Sequence, residues 1–493
     1  MNEHLRVMKF GGTSVGDAAC IARAAKIVAA AIDQSAVVVV VSAMSGVTDR
    51  LIEAARCAGT GDERTALELM TSLRGQHATA ITALIKDADA RAQLAAETER
   101  IIGGATNLCR GAAMLCELTP RTLAAISGAG ERLSARLMTG ALRELGVAGV
   151  AVEATELIVT DEQYQQAEPL MDETRARTQA RLLPLLDEGA TPVVTGFVGA
   201  NAKGETTTLG RGGSDYSATI LGAALGAAEV VIWTDVDGVL TADPRLIPEA
   251  RTLHEISYNE AAELAYFGAK VLHPRTLRPV TVAGIPVWIR NSFAPESPGT
   301  KITATGHPTA SGVKAITAIG DVSLITLGGR GIVGAPDVVA KTFSATASER
   351  VNVLLISQAS SQNDICFIVR SEDAGRVVRA LRQAFAPELS RQEVEHITVD
   401  AEIAVVAAIG ERMRGAVGIA GRTFGALGRA HINVIAIAQG SSEYNISFVV
   451  EAHAVKEAVA AVHEEFELGR RAPAGEQDEV AFTEVKGDDR TRN

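Results

Sequence analysis

The chain has 493 residues, too many for one hydrophobic core and enough for two or three domains. With 47% hydrophobic and 22% charged residues it has the make-up of a soluble globular protein, and a formal charge of −12 argues against partnership with nucleic acid or an anionic membrane. Five scattered cysteines without C-x-x-C spacing, a start without a basic-then-apolar leader, and a longest apolar run of only Ala36 to Val41 fit reduced thiols in a cytoplasmic enzyme.

Val7 to Phe10 reads as a strand running into Gly11-Gly12-Thr13-Ser14 and then an Ala/Ile-rich helix. Successive glycines let backbone N–H groups close on an anion, with Lys9 beside them; a tight strand-to-helix turn carrying a surface lysine fits equally well. Neither a Walker loop nor G-x-G-x-x-G is present. A second strand, Val37 to Val41, ends in a hydroxyl-rich loop holding Ser42, Ala43 and Thr48, at the edge where open α/β sheets bind ligands. The pattern from about 50 to 147 is helical, with Thr119-Pro120 as cap and first turn. Glu131, in Ser127-Gly128-Ala129-Gly130-Glu131, fits helix-dipole compensation as well as a binding role.

Strands at Pro192 to Phe197 and Val230 to Asp235 follow. Between them lies Gly210-Arg211-Gly212-Gly213-Ser214-Asp215, where an arginine among glycines can present its planar fork to a carboxylate, and Asp215 can cap a helix or orient a cation. Thr234-Asp235, the loop through Leu240 and Arg245, and Gly268-Ala269-Lys270-Val271-Leu272-His273 read as loops able to cup a nucleotide. Unbroken Val/Ile runs mean strands buried on both faces of a mainly parallel sheet. The expected fold class is α/β, a three-layer α/β/α domain over 1–295, then a Pro/Gly/Ser/Thr-rich linker over 296–312.

Beyond it the chain repeats itself at an offset of 81 residues: Gly334-Ala335 over Gly415-Ala416, Thr342-Phe343 over Thr423-Phe424, Asn352-Val353 over Asn433-Val434, Gln358 over Gln439 and Phe367 over Phe448. Each copy reads as a βαββα unit, over 313–390 and 391–468, and paired sheets of this kind make ligand clefts between them. The charged tail, 469–493, reads as disordered.

Together VMKFGGTSVGD, VVVVSAMSGVTD, SGAGERLSA, TTTLGRGGSDYSA, VIWTDVDGV and GAKVLHPRTL resemble the aspartokinase family of the amino-acid-kinase superfamily, from residue 7 to about 466, and the repeats look like that family's ACT domains. The resemblance implies transfer of a phosphoryl group from ATP to the side chain of L-aspartate, the first step of lysine, threonine and methionine biosynthesis. It implies that Lys9 and Asp215 are catalytic, and that Ser42, Ala43, Thr48, Glu131, Arg211, Gly212, Gly213 and Ser214 bind substrate, Glu131 taking the α-ammonium and Arg211 the α-carboxylate. Lys9, Gly11, Gly12, Thr13, Ser14, Thr234, Asp235, Leu240, Arg245, Lys270 and Val271 would hold ATP, with Leu240 standing where the family often has Tyr. Mg2+ would ride on the nucleotide phosphates, without a protein metal cage.

The repeat segments around Gln358 and Gln439 look closer to threonine-sensitive aspartokinase–homoserine dehydrogenases than to lysine-sensitive monofunctional enzymes, although the chain ends before a dehydrogenase would fit. Threonine is therefore the favoured effector and lysine the rival, held by Gly334, Ala335, Asn352, Val353, Gln358, Gly415, Asn433, Val434, Gln439 and Ser441. The repeats would also pair the chain into a homodimer or a dimer of dimers. A relative phosphorylating another acceptor, and a catalytically silent sensor, are the competing readings; the intact Lys9, Arg211 and Asp215 speak against the second.

Overall fold

Strands made of Val and Ile with no polar face can be buried only in a sheet covered on both sides, and the computed structural model builds such a sheet. It describes residues 2–268, 272–307, 309, 312–329, 336–358, 364–411, 413, 416–438 and 444–470. Among these, β1 (Asn2–Phe10), β2 (Ala36–Val41), β3 (Gly149–Val152) and β4 (Thr191–Thr195) precede a small hairpin of β5 (Val198–Ala200) and β6 (Thr206–Thr208). Then come β7 (Ala227–Thr234), β8 (Glu255–Ser257), β9 (Val287–Asn291) and β10 (Thr300–Thr303). Eight of them form one sheet in the order β3-β4-β2-β1-β7-β9-β10-β8, parallel from β3 to β9, with β10 antiparallel to β9.

Alternation along β1 sends Leu5 and Val7 into one core and Met8 and Phe10 into the other. The second core is closed by α1 (Ala18–Ile32), α2 (Val47–Gly59), α3 (Glu63–Leu84), α4 (Ala88–Leu115), α5 (Pro120–Ser127) and α6 (Ala129–Glu144). The first is closed by α7 (Met171–Asp187), α8 (Gly213–Leu225), α9 (Tyr258–Tyr266) and α10 (Pro274–Ala283). As expected, the hydroxyl of Thr119 caps α5 and Pro120 fills its first turn.

The two repeats share one antiparallel sheet, ordered β12-β13-β11-β14-β16-β15. The first supplies β11 (Ala315–Gly328), α11 (Pro336–Ser348), β12 (Leu355–Gln358), β13 (Asp364–Arg370) and α12 (Ser371–Ala384), a βαββα unit. After a short α13 (Ala386–Ser390), the second supplies β14 (His396–Ile409), α14 (Ile419–Arg429), β15 (Ala436–Ala438), β16 (Asn445–Glu451) and α15 (Val455–Glu465). The 81-residue register recurs in the core: Phe343 meets Phe367 edge-on at 5.6 Å, and Phe424 meets Phe448 at 5.9 Å.

The stretch expected as a linker, 296–312, is not all connector. Thr300–Thr303 pairs with β8 and β9 as a strand of the larger sheet, because alternating Thr300 and Ile302 are fully buried there despite the Pro/Gly-rich surroundings. Of the tail expected to be disordered, only Gly469 and Arg470 lie within the described residues. No helix among the described residues is long and apolar enough to cross a membrane.

The repeats are docked onto α9 and the β7–β8 loop. Lys314 meets Glu260 at 2.7 Å with both side chains almost wholly buried, and Glu260 also accepts from the backbone of Ser257 in a capping box at the start of α9. Ile316 donates to the carbonyl of Thr241 at 2.8 Å, and Thr241 contacts His463 of α15 at 3.0 Å. Tyr266, at the end of α9, donates to the carbonyls of Val353 and Leu354 in the first repeat, while Asn259 donates to Tyr444 of the second. Removing one member of a buried ion pair strands the other, so Lys314→Ala is expected to cost roughly 3–5 kcal/mol, read as a lower thermal midpoint, with Lys314→Met/Glu260→Gln recovering much of it.

Candidate active site

Parallel strands end on one edge, and the loops leaving β1, β2, β4, β7 and β9 therefore converge. Ladder hydrogen bonds continue past the strand ends: Ser42 donates to the Phe10 carbonyl, Gly11 to Trp233, Gly196 to Val41 and Ser292 to Thr234, all at 2.9–3.0 Å. The glycines here are required by close approach. A Cβ on Gly16 would lie 2.7 Å from the Ser45 hydroxyl, and one on Gly130 would lie 2.7 Å from the Ala43 side chain. Helices α2, α6 and α8 all begin at this edge, so their positive ends add to its field.

Lys9, 7% exposed at the end of β1, meets Asp215 in the first turn of α8 at 2.5 Å. Asp215 makes no cap to its own helix, whose N-cap is Gly212 in the left-handed region; its carboxylate serves the lysine. Gly11 lies close over the pair, a Cβ there falling 3.3 Å from the Lys9 Nζ. Ser14 anchors the loop by donating to the Trp233 carbonyl at 3.3 Å and receiving the Ser292 hydroxyl at 2.8 Å, while Thr13 is exposed and Gly12 half-buried.

Glu131 is 3% exposed, and its Oε1 accepts from the backbone of Ala43 at 3.2 Å. Its Oε2 has no partner among the described residues. Burial pushes this carboxyl up to about 8, against the opposing effect of hydrogen bonds and the Lys9 charge. Ser42 is half-buried, Ala43 buried, and Thr48 lies in the first turn of α2 beside them.

Arg211 is exposed on a turn between Gly210 and Gly212, both with positive φ, and makes no hydrogen bond or ion pair with the described residues. Gly213 and Ser214 follow, buried at the start of α8. The turn rests on Phe197, a bulky residue held at φ 70°. Its N–H donates to Ser217 and its carbonyl accepts from Leu209, and a Cβ on Gly213 would press on its ring at 2.8 Å. Nothing in the sequence around Phe197 marks it. His273 caps α10 behind the same turn, its imidazole held below the ordinary range by burial and by the charges of Arg275 and Arg211.

On the other side of the edge, Thr234 is half-buried and donates to Asp235 at 3.2 Å, and Asn291 donates to Asp237 at 2.8 Å. Gly238, at φ 122°, lets Val239 reach the hydroxyl of Thr300. Leu240 is half-buried in a bridge with Thr252, and Arg245 is exposed and paired with Asp243 at 2.6 Å. Lys270 and Val271 lie outside the described residues. In the repeats, Asn352 and Val353 lead into β12, and Asn433 and Val434 into β15. Gln358 ends β12, and these two strands approach each other where Ser357 donates to the Ile437 carbonyl at 3.4 Å. Gly334, Ala335, Gly415, Gln439 and Ser441 lie outside the described residues.

The family model for the amino acid kinase family matches residues 4–291, and that for the ACT domain matches residues 325–385 and 406–466. The bifunctional aspartokinase/homoserine dehydrogenase 1, chloroplastic, of Arabidopsis thaliana is 34% identical over 477 residues, covering 94% of this chain and 51% of its own. The chain thus spans about half the length of that relative. Aspartokinase 1, chloroplastic, of the same plant is 33% identical over 475 residues, covering 93% of this chain and 80% of its own. The structure of E. coli aspartokinase III with aspartate and ADP, in its R-state, matches with a TM-score of 0.76 at 31% identity over 94% of this chain and 99% of that one. The same enzyme with lysine and aspartate, in its T-state, matches at 0.77. On a family match that takes in more than half its length and on relatives aligned along nearly all of it, the chain belongs to the amino acid kinase family, among the aspartokinases, with a pair of ACT domains behind the kinase fold.

Proposed function

We propose that the protein is an aspartate kinase, transferring the γ-phosphoryl group of ATP to the side-chain carboxylate of L-aspartate to give 4-phospho-L-aspartate and ADP, at the head of lysine, threonine and methionine biosynthesis. The observation that carries this reading is a buried carboxylate, Glu131, with one oxygen and the guanidinium of Arg211 both without a partner among the described residues, on the same sheet edge as the Lys9–Asp215 pair. An α-amino acid offers one ammonium and one carboxylate to such a pair of groups. The acceptor carboxylate is already ionised at neutral pH, with a reference pKa of about 4, so no general base is needed. Its oxygen attacks the γ-phosphorus as the bond to the ADP oxygen breaks, and the barrier lies in bringing two anions together.

Lys9, held by Asp215, would carry positive charge to the transferring group, and the N-termini of α2 and α8 would add theirs. Thr234, Asp235, Leu240, Arg245 and the segment holding Lys270 and Val271 would flank the nucleotide. Mg2+ would be delivered on the nucleotide phosphates. Bound there, it would neutralise phosphate charge. In the resting protein most Glu131 is protonated at pH 7, and an arriving ammonium would favour its ionised form.

The ACT pair would bind an amino-acid effector, threonine in preference to lysine; the resemblance of the repeat segments around Gln358 and Gln439 favours threonine, while the lysine-bound T-state of E. coli aspartokinase III favours the rival. The route to the kinase fold would be α9, which touches the first repeat through Tyr266 and the second through Asn259 and Glu263. β12 and β15 end the repeat sheet, with Ile356 52% and Ile437 47% exposed, and suit the pairing of the chain into a homodimer or dimer of dimers.

With MgATP, acyl phosphate trapped as the hydroxamate should form with aspartate across a panel of amino acids and fall by about 10²-fold or more in Lys9→Ala; no product with aspartate overturns the reading. Raising the pH from 6.5 through 8 should lower KM for aspartate as less work is needed to ionise Glu131, and Glu131→Gln should raise KM roughly 10–100-fold and flatten that dependence. The same raised carboxyl makes folding stability fall as pH rises between its ordinary value and about 8, because the folded state binds the proton that the unfolded chain has lost. Tyr266→Phe should leave uninhibited kcat in place and raise the effector concentration for half inhibition about fivefold.

A further inference from the structure

Beside α1, side chains of β7 and β9 on the second-core face line a cavity, and among the described residues no further helix contributes to that lining. Parallel strands with both faces buried carry apolar side chains; here they carry charge. Arg6 of β1, Arg290 of β9, and Arg23 and Lys26 of α1 line a cavity of about 790 Å3 floored by strands β1, β7 and β9. Against these four cations the lining holds one carboxylate, Glu229.

That carboxylate is already used. It pairs with Arg6 at 2.7 Å and accepts from the Trp288 indole at 2.9 Å. Arg290 packs over the Trp288 ring at 4.7 Å, with Glu229 near enough to act on its charge, and Arg23 packs over Phe293 at 4.6 Å, with Asp17 at the start of its own helix nearby. Two donors of the lining are buried without a partner among the described residues, the Nε of Arg290 and the Nε1 of Trp233, a residue only 4% exposed. Burial draws the Arg290 guanidinium below its usual range, against the opposing pull of Glu229 and with the like charge of Arg6 adding to the effect. In a chain of formal charge −12, cations gathered around one consumed carboxylate and two orphan donors call for an anion from outside.

The geometry points to a second anion-binding site here, on the face of the sheet opposite Lys9, taking a compact polyanion with two or more phosphoryl groups. Several cations suit a ligand of several charges, and guanidinium forks suit phosphate oxygens. The site shares no side chain with the proposed aspartate site and has no need of the ACT pair.

Both tryptophans of the chain, Trp233 and Trp288, line the cavity, so its occupancy can be read by intrinsic fluorescence. The full-length protein, without Mg2+, is titrated with inorganic tripolyphosphate and in a parallel arm with GTP, each against sodium chloride of matched ionic strength. A saturable change is expected, weakened about tenfold or more in Arg23→Ala/Lys26→Ala and to a lesser degree in Lys26→Glu, whose position is exposed. Equal affinities for both ligands would mean that the phosphate chain alone is recognised, and a tighter GTP that the nucleoside contributes. No saturable change, a change reproduced by salt, or binding unaltered in both variants would overturn the proposal.

Discussion

The ion pair between Lys9 and Asp215 joins the end of the central strand to the first turn of a helix more than two hundred residues later, and much of the site is arranged around it. A lysine at this depth needs a counter-ion, yet a lysine fully neutralised would be useless to a phosphate. Asp215 resolves this by sitting at a helix N-terminus, where its charge is partly spoken for by the helix. Gly11 and Gly12 are then fixed by clearance: side chains there would press on the Lys9 ammonium or the Ala43 carbonyl. The turn through Gly212 and Gly213, with Phe197 strained beneath it, sets where Asp215 starts.

Glu131 obeys the opposite logic. Its carboxyl is buried with one oxygen bonded to the Ala43 backbone and the other without a partner among the described residues, so at neutral pH the cheaper state is the protonated one. A group in that condition discriminates strongly. A ligand that brings an ammonium lets it ionise with a partner, while a ligand with an acylated nitrogen leaves the orphan oxygen as it was. Binding energy is thereby tied to the charge pattern of a free amino acid rather than to its size.

Legibility in the sequence follows the range of the interaction. Lys9 before its glycines, Thr119-Pro120 as a helix start, and Arg211 among glycines are local patterns, and each occupies the kind of position its neighbours imply. The repeat is legible because duplication without gaps preserved even the ring pairs Phe343–Phe367 and Phe424–Phe448. Pairings such as Lys9 with Asp215, or Glu131 with Ala43, bring together residues whose separation in the chain carries no periodic signal. Composition misled at Thr300–Thr303, where the need to pair with β8 and β9 overrode a linker-like make-up. The charges of Arg6, Glu229 and Arg290 look like surface residues in three separate segments, and only the strand order makes them neighbours.

The junction between the kinase fold and the repeats has unequal ends. At the start of α9 the capping box, Lys314 and Glu260 lock the helix by interactions that cannot be loosened gradually, because either charge left alone in the interior is costly. At its far end the partly exposed Tyr266 donates to two backbone carbonyls beside β12, and the carbonyl of the buried Phe267 accepts from Thr317 of β11 at 2.8 Å. A change in the repeats that displaced β12 would therefore move the C-terminal end of α9 more easily than its start. His273 and α10 pack behind the Arg211 turn. A buried ion pair at one end and neutral hydrogen bonds at the other make the two ends of α9 unequal in what it would cost to part them from the repeats, the start costing more.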